Sequence, residues 1–249
     1  MDLSVFEYSL VFNSLSFGIA TFGAATIFFF LQRSQVAPAY RGALTITGLV
    51  TLIALYHYVR ILDSWQATFV LENGVVTATG KTFNDAYRYV DWLLTVPLLL
   101  VELIAVMGLS RMETWTRGTR LGLLAALMIV LGYPGEISDV ASVRWIWWAA
   151  AMVPFLWIVY ELVVGLGKSI SEQPAQARGL VSTARWIVIV TWSFYPVVFL
   201  FPMLGLTGSA AETAVQVGYT VADVAAKAVF GVVIYLIAVR RSEAEGFRA

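Results

Sequence analysis

Seven stretches of mostly apolar residues, at about 8–31, 42–64, 87–108, 119–135, 143–166, 183–204 and 213–239, are cut from one another by charged and Gly/Pro-rich segments. A helix rises 1.5 Å per residue, so about 20 apolar residues cross the hydrocarbon core of a bilayer. The expected fold is therefore all-α and integral to a membrane: one domain over 1–249, built as a bundle of seven transmembrane helices. The fourth stretch is the shortest. Hydrophobic residues make up 59% of the chain and charged residues 13%, with a mean hydropathy of +0.79, so lipid is its natural solvent.

The rest of the composition narrows the partners. A formal net charge of zero argues against nucleic acid, and the absence of Cys excludes disulfides, thiol chemistry and thiolate metal sites. A single His57 argues against a His-based metal centre. The start of the chain carries Asp2 and Glu7 where a signal peptide would be basic, so it reads as mature sequence. Between the second and third spans, residues 65–84 place β-branched residues around Asn73-Gly74, a short-range signal for a β-hairpin.

Seven spans put the termini on opposite sides of the membrane, and basic residues are unevenly shared between the two sides. Arg33, Arg41, Arg111, Arg117, Arg120, Lys168, Arg178, Arg185, Arg240, Arg241 and Arg248 fall toward the C-terminal side; Arg60, Lys81, Arg88 and Arg144 fall toward the other. The positive-inside rule then predicts a cell-membrane protein with its C-terminus cytoplasmic and its N-terminus extracellular or periplasmic.

Four ionisable residues lie well inside the spans: Asp91 and Glu102 in the third, Asp223 and Lys227 in the seventh. Each costs a few kcal/mol in lipid unless it faces the bundle interior, which makes function the default reading. A buried ion pair that only fixes helix packing is the alternative. Asp223 and Lys227 are four residues apart and share a helix face. Arg88, Asp91 and Thr95 follow i, i+3, i+7 spacing and share another. Glu102 lies 11 residues beyond Asp91, about 16 Å along the axis at nearly the same azimuth. The lysine can be neutral, an ammonium, or condensed with a carbonyl compound, and spacing does not choose among these.

Taken together, RYVDWLLTVPLLLVE (Arg88 to Glu102), DVAAK (Asp223 to Lys227), TWSFYP (Thr191 to Pro196) and RWIWWA (Arg144 to Ala149) resemble, in order, the third-, seventh-, sixth- and fifth-helix signatures of the microbial rhodopsins. The resemblance implies all-trans retinal bound as a protonated Schiff base to Lys227, with Asp91 and Asp223 as counter-ions. Asp91 is then the proton acceptor and Glu102 the proton donor, kept protonated by poor solvation until it reloads the nitrogen. The set Asp91, Thr95, Glu102 is similar to that of proteorhodopsin-like outward proton pumps. His57, in LYHY, matches the histidine that partners the acceptor in the proteorhodopsin and xanthorhodopsin groups, and a hydrogen bond from His57 to Asp91 is expected to tune that carboxylate. Arg88 matches a gating arginine on the exit side.

The same resemblance assigns Trp92, Trp148, Trp192 and Tyr195 to positions along retinal, and Tyr58 and Tyr195 to partners of Asp223. Met128 and Gly132 fit fourth-helix pocket positions, and Pro196 is expected to kink the sixth helix. Leu99 falls where an apolar residue goes with green absorbance. Trp148 falls where carotenoid-binding relatives have Gly, so no carotenoid antenna is expected. The remaining expected partners are the lipid bilayer, the transported proton and further copies of the chain. The release group is not identified by the motifs: Glu212 is present, Val215 occupies the more obvious position, and Glu136 is a candidate from another loop. A sensory photoreceptor with the same chromophore is the main alternative. A light-gated channel and a transporter without retinal fit less well.

Overall fold

The computed structural model describes residues 2–84 and 86–247; Arg248 of the basic inventory lies outside them. Among these residues are seven helices of membrane-spanning length. They are α1 (Val5–Gln32), α2 (Arg41–Thr68), α3 (Ala86–Val106), α4 (Arg111–Glu136), α5 (Ala141–Tyr160), α6 (Ala175–Phe199) and α7 (Ser209–Ala244). A π-helical turn at Glu161–Gly165 and a short helix at Gly167–Ser171 extend α5 toward α6. Chain neighbours pack together, and α7 closes the ring by packing on α1, α2 and α3.

Local chemistry sets the ends of these helices. Ser4 and Glu7 form a reciprocal capping box at the start of α1, and Ser110 caps α4 by accepting from the Glu113 backbone. The expected hairpin lies between α2 and α3: β1 (Phe69–Glu72) pairs antiparallel with β2 (Val75–Ala78). Asn73 and Gly74 both have positive φ, 50° and 78°, as the two central residues of a type I′ turn require.

Polarity is distributed as lipid demands. Large apolar side chains such as Ile27, Leu31, Leu123, Ile146, Val153 and Val190 face outward, while Arg88, Asp91, Thr95, Glu102, Asp223 and Lys227 are buried inside. Removing polar groups from lipid outweighs the usual preference for an apolar interior. The helix α4 begins eight residues before the expected 119, at Arg111. The arginines that make Arg111–Arg120 look like a loop are carried on its first turns, where Arg117 donates to the Gly165 carbonyl (2.8 Å) and Arg120 to Glu161 (2.8 Å). Long basic side chains at a helix end reach polar partners without ending the helix.

Candidate functional site

The helix α7 brings Thr220, Asp223 and Lys227 onto the interior face, and the segment Val224–Val229 around the lysine is π-helical, a local widening frequent at functional positions. From α3, Asp91 meets the same point. Lys227 Nζ lies 2.7 Å from Asp91 Oδ2 and 2.8 Å from Asp223 Oδ1, and all three side chains are almost fully buried. A cation bridging two carboxylates compensates charges that none of them could carry alone at this depth.

The two carboxylates are held very differently. Asp223 receives the Tyr58 hydroxyl on Oδ2 (2.8 Å) and, on Oδ1, the Tyr195 hydroxyl (2.6 Å) and the Trp92 indole N–H (3.2 Å), in addition to the lysine. Asp91 has the lysine on Oδ2, while its Oδ1 has no hydrogen-bond partner. Thr95 does not supply one, because its hydroxyl donates to the Asp91 backbone carbonyl (2.8 Å).

His57 of α2 stands beside the pair. Its Nδ1 is hydrogen-bonded to the Ile53 carbonyl (2.9 Å) and stands 3.8 Å from Asp91 Oδ1. That separation permits electrostatic influence but exceeds hydrogen-bond length. The carbonyl four residues back on the same helix takes the proton that the expected pairing assigned to the carboxylate.

An apolar cavity opens at the lysine. Its wall contains Trp92, Leu99, Met128, Gly132, Trp148, Trp192, Tyr195 and Pro196, together with Tyr89, Phe155, Tyr219 and Lys227 itself. Tyr58 is not on this wall and reaches the site through its hydroxyl on Asp223. Trp148 is tied across to α6, its indole N–H donating to the Pro196 carbonyl (2.9 Å).

On the hairpin side of the ion pair, Arg88 is buried over the rings of Tyr219 and Tyr58 (5.3 and 5.6 Å to their centres). It donates to Gln216 Oε1, and Gln216 Nε2 donates to Glu212 Oε1 (2.9 Å), so a chain of polar contacts runs outward from the counter-ions. Glu136 is engaged elsewhere, 3.5 Å from both Arg144 and the Tyr89 hydroxyl. Neither motif nor composition marks Gln216. The available signal is its spacing: Gln216, Thr220, Asp223 and Lys227 form an i, i+4, i+7, i+11 series on one face.

On the other side, Glu102 is fully buried and neither carboxyl oxygen has a hydrogen-bond partner. Thr47 of α2 stands beside it but donates its own proton to the Ala43 carbonyl (3.0 Å).

Seven spanning helices enclosing a lysine, two carboxylates and an apolar slot define a class, and sequence comparison identifies it. The model of bacteriorhodopsin-like proteins matches residues 11–240; the chain belongs to the microbial rhodopsin family. It is 31% identical over 245 residues to the green-light absorbing proteorhodopsin of Gamma-proteobacterium EBAC31A08, covering 97% of this chain and 90% of that protein. The structure of xanthorhodopsin, described as a light-driven ion pump with dual chromophore, superposes with a TM-score of 0.96 at 50% identity, covering 100% of this chain and 99% of the other. A thermophilic rhodopsin superposes at 0.94 with 43% identity, covering 99% of both chains.

Proposed function

We propose that this protein is a light-driven outward proton pump that carries all-trans retinal on Lys227, takes the proton from Nζ onto Asp91 and replaces it from Glu102. The observation that carries this reading is the unequal treatment of the two carboxylates. Protonating Asp223 would forfeit charge-assisted bonds from two tyrosines and an indole, whereas no protein donor is bonded to Asp91 Oδ1. Asp91 is the acceptor, and Asp223 stays ionised as the fixed counter-charge.

The cavity fits the cofactor. Its aromatic and aliphatic wall suits a polyene, and the one primary amine on it is that of Lys227. Retinal supplies absorption of light and a change of shape that separates Nζ from its carboxylates. Asp91 Oδ2, 2.7 Å from Nζ, is within direct proton-transfer distance before that separation. Glu102, about 16 Å from Asp91 along α3, lacks any cation to hold it as a carboxylate and is placed to return a proton from the opposite side. With the C-terminal end of the bundle cytoplasmic, as its excess of basic residues indicates, the net movement is outward.

The test is a light-induced pH measurement in an unbuffered suspension of cells expressing the protein with all-trans retinal. Acidification abolished by a protonophore is expected; coloured cells with no pH change would sink the pump reading in favour of a sensor. Replacing Glu102→Gln should leave the colour but slow reprotonation of Nζ by about 10²-fold, the usual scale of a lost proton-transfer group. Flash spectroscopy reads this step, and a wild-type rate in the variant would remove Glu102 from the mechanism.

The antenna reading rests on Trp148. Its indole is anchored to Pro196, which supports the reading that a bulky ring at this position leaves a carotenoid no seat. Added carotenoid should transfer no excitation energy to retinal, and an excitation spectrum showing carotenoid bands in retinal emission would overturn this.

A further inference from the structure

On the pump reading, Glu102 must be reloaded from the cytoplasm, and the residues that follow it on α3 are apolar. Beyond Glu102 on α3 come Leu103, Val106 and Met107, all buried and apolar, so water must enter before the carboxyl can be reached. Five residues from Glu102 to Met107 span about 7.5 Å. The layer is therefore thin, and what lies on its outer side decides when it opens.

Lying over it is one guanidinium. Arg241, near the end of α7, donates from Nε to the Tyr40 hydroxyl at the start of α2 (2.8 Å) and from Nη1 to Gln173 Oε1. Tyr40 also bonds Glu245. Gln173 is buried in the connection between α5 and α6, and its amide donates to the carbonyls of Met107 and Ser169 (both 3.0 Å). The guanidinium lies flat on Gly108, where a Cβ would come within 2.2 Å of Nη2; Gly108 has φ +61°. A missing side chain thus makes the seat of the arginine directly after the helix that carries Glu102. Four parts of the bundle meet here: the start of α2, the end of α3, the α5–α6 connection and the end of α7.

We propose that Arg241, held by Gln173, is the bolt of a cytoplasmic gate whose opening sets the rate at which Glu102 is reloaded. Arg241 touches no reacting group and is a positioning residue. It acts by pinning Gln173, and through it the α5–α6 connection, against the Met107 carbonyl, which keeps the apolar layer closed to water. Because the inference rests on the pump reading, the two need separate readouts.

The experiment is flash spectroscopy with a pH dye on the retinal-bound protein in vesicles, comparing wild type, Gln173→Ala and Arg241→Gln. In both variants proton uptake and reloading of Glu102 should accelerate by about tenfold or more, the scale of one charge-assisted hydrogen bond. The earlier transfer from Nζ to Asp91 should be unchanged. A purely structural role does not predict the second readout: reloading in wild type should slow when sucrose withdraws water, and this sensitivity should fall in both variants. Unchanged or slower reloading in the coloured variants overturns the gate. If neither variant binds retinal, wild type decides alone, and a reloading rate indifferent to sucrose overturns it. A normal loss of rate in Glu102→Gln beside an unaffected Gln173→Ala sinks only the gate; no effect of Glu102→Gln sinks the donor reading beneath it.

Discussion

Replacing Asp91→Asn is expected to leave a coloured protein that no longer pumps. Asn is isosteric, and Lys227 keeps its 2.8 Å contact with Asp223, so folding and retinal attachment should survive. What disappears is the one carboxylate oxygen of the pair that has no donor committed to it. Asp223 cannot substitute, because two hydroxyls and an indole hold its charge in place. Transfer from Nζ should fall by at least about 10²-fold, and the absorption maximum should move because a counter-charge 2.7 Å from the nitrogen is gone. Light-driven acidification and the flash-induced deprotonation of Nζ check both halves. Wild-type pumping by Asp91→Asn would make Asp223 the acceptor and invert the reading of the site.

Replacing Lys227→Ala is expected to abolish the visible band altogether, a band that Leu99 in the cavity wall leads us to place in the green. The wall can still accommodate an apolar polyene, but no other primary amine lines it, so nothing remains to hold retinal covalently. The variant also leaves Asp91 and Asp223 facing each other without their cation, and breaking a buried pair by removing one partner costs about 3–5 kcal/mol. Lower thermal stability should accompany the loss of colour. Detergent-purified protein that is folded by circular dichroism but colourless with added retinal is the expected outcome; a retained retinal band that survives denaturation would place the linkage elsewhere.

The sequence exposed those features that depend on one helix at a time. Asp223 with Lys227, and Arg88 with Asp91 and Thr95, are faces of single helices, so spacing alone aligns them. The hairpin at Asn73-Gly74 is equally local, since two consecutive residues of positive φ define it. Contacts between helices were less legible. Gln216 becomes a link between Arg88 and Glu212 only once the rotation of α7 against α3 is known, and Gln173 meets Arg241 from a connection with no motif. His57 shows the converse: it stands 3.8 Å from Asp91 across helices, while its hydrogen bond goes to Ile53, one turn away on the same helix. The start of α4 is hidden in the sequence because its charged residues look like a loop, whereas Arg117 and Arg120 find polar partners from helical positions.

The placement of Glu102 far from the ion pair has a consequence for a membrane that is already charged. A full crossing of one elementary charge is worth about 2.3 kcal/mol per 100 mV, over a core about 30 Å thick. The step from Nζ to Asp91 covers 2.7 Å, so it feels only ~0.2 kcal/mol per 100 mV by that scale. On the proposed cycle a refill from Glu102, which lies roughly 16 Å from Asp91 along α3, would work against about 1.2 kcal/mol per 100 mV. As the inside-negative voltage builds, the refill should slow while the first transfer hardly changes, which photocurrents under voltage clamp would resolve. On the proposed cycle, the output itself would throttle further turnover at this step.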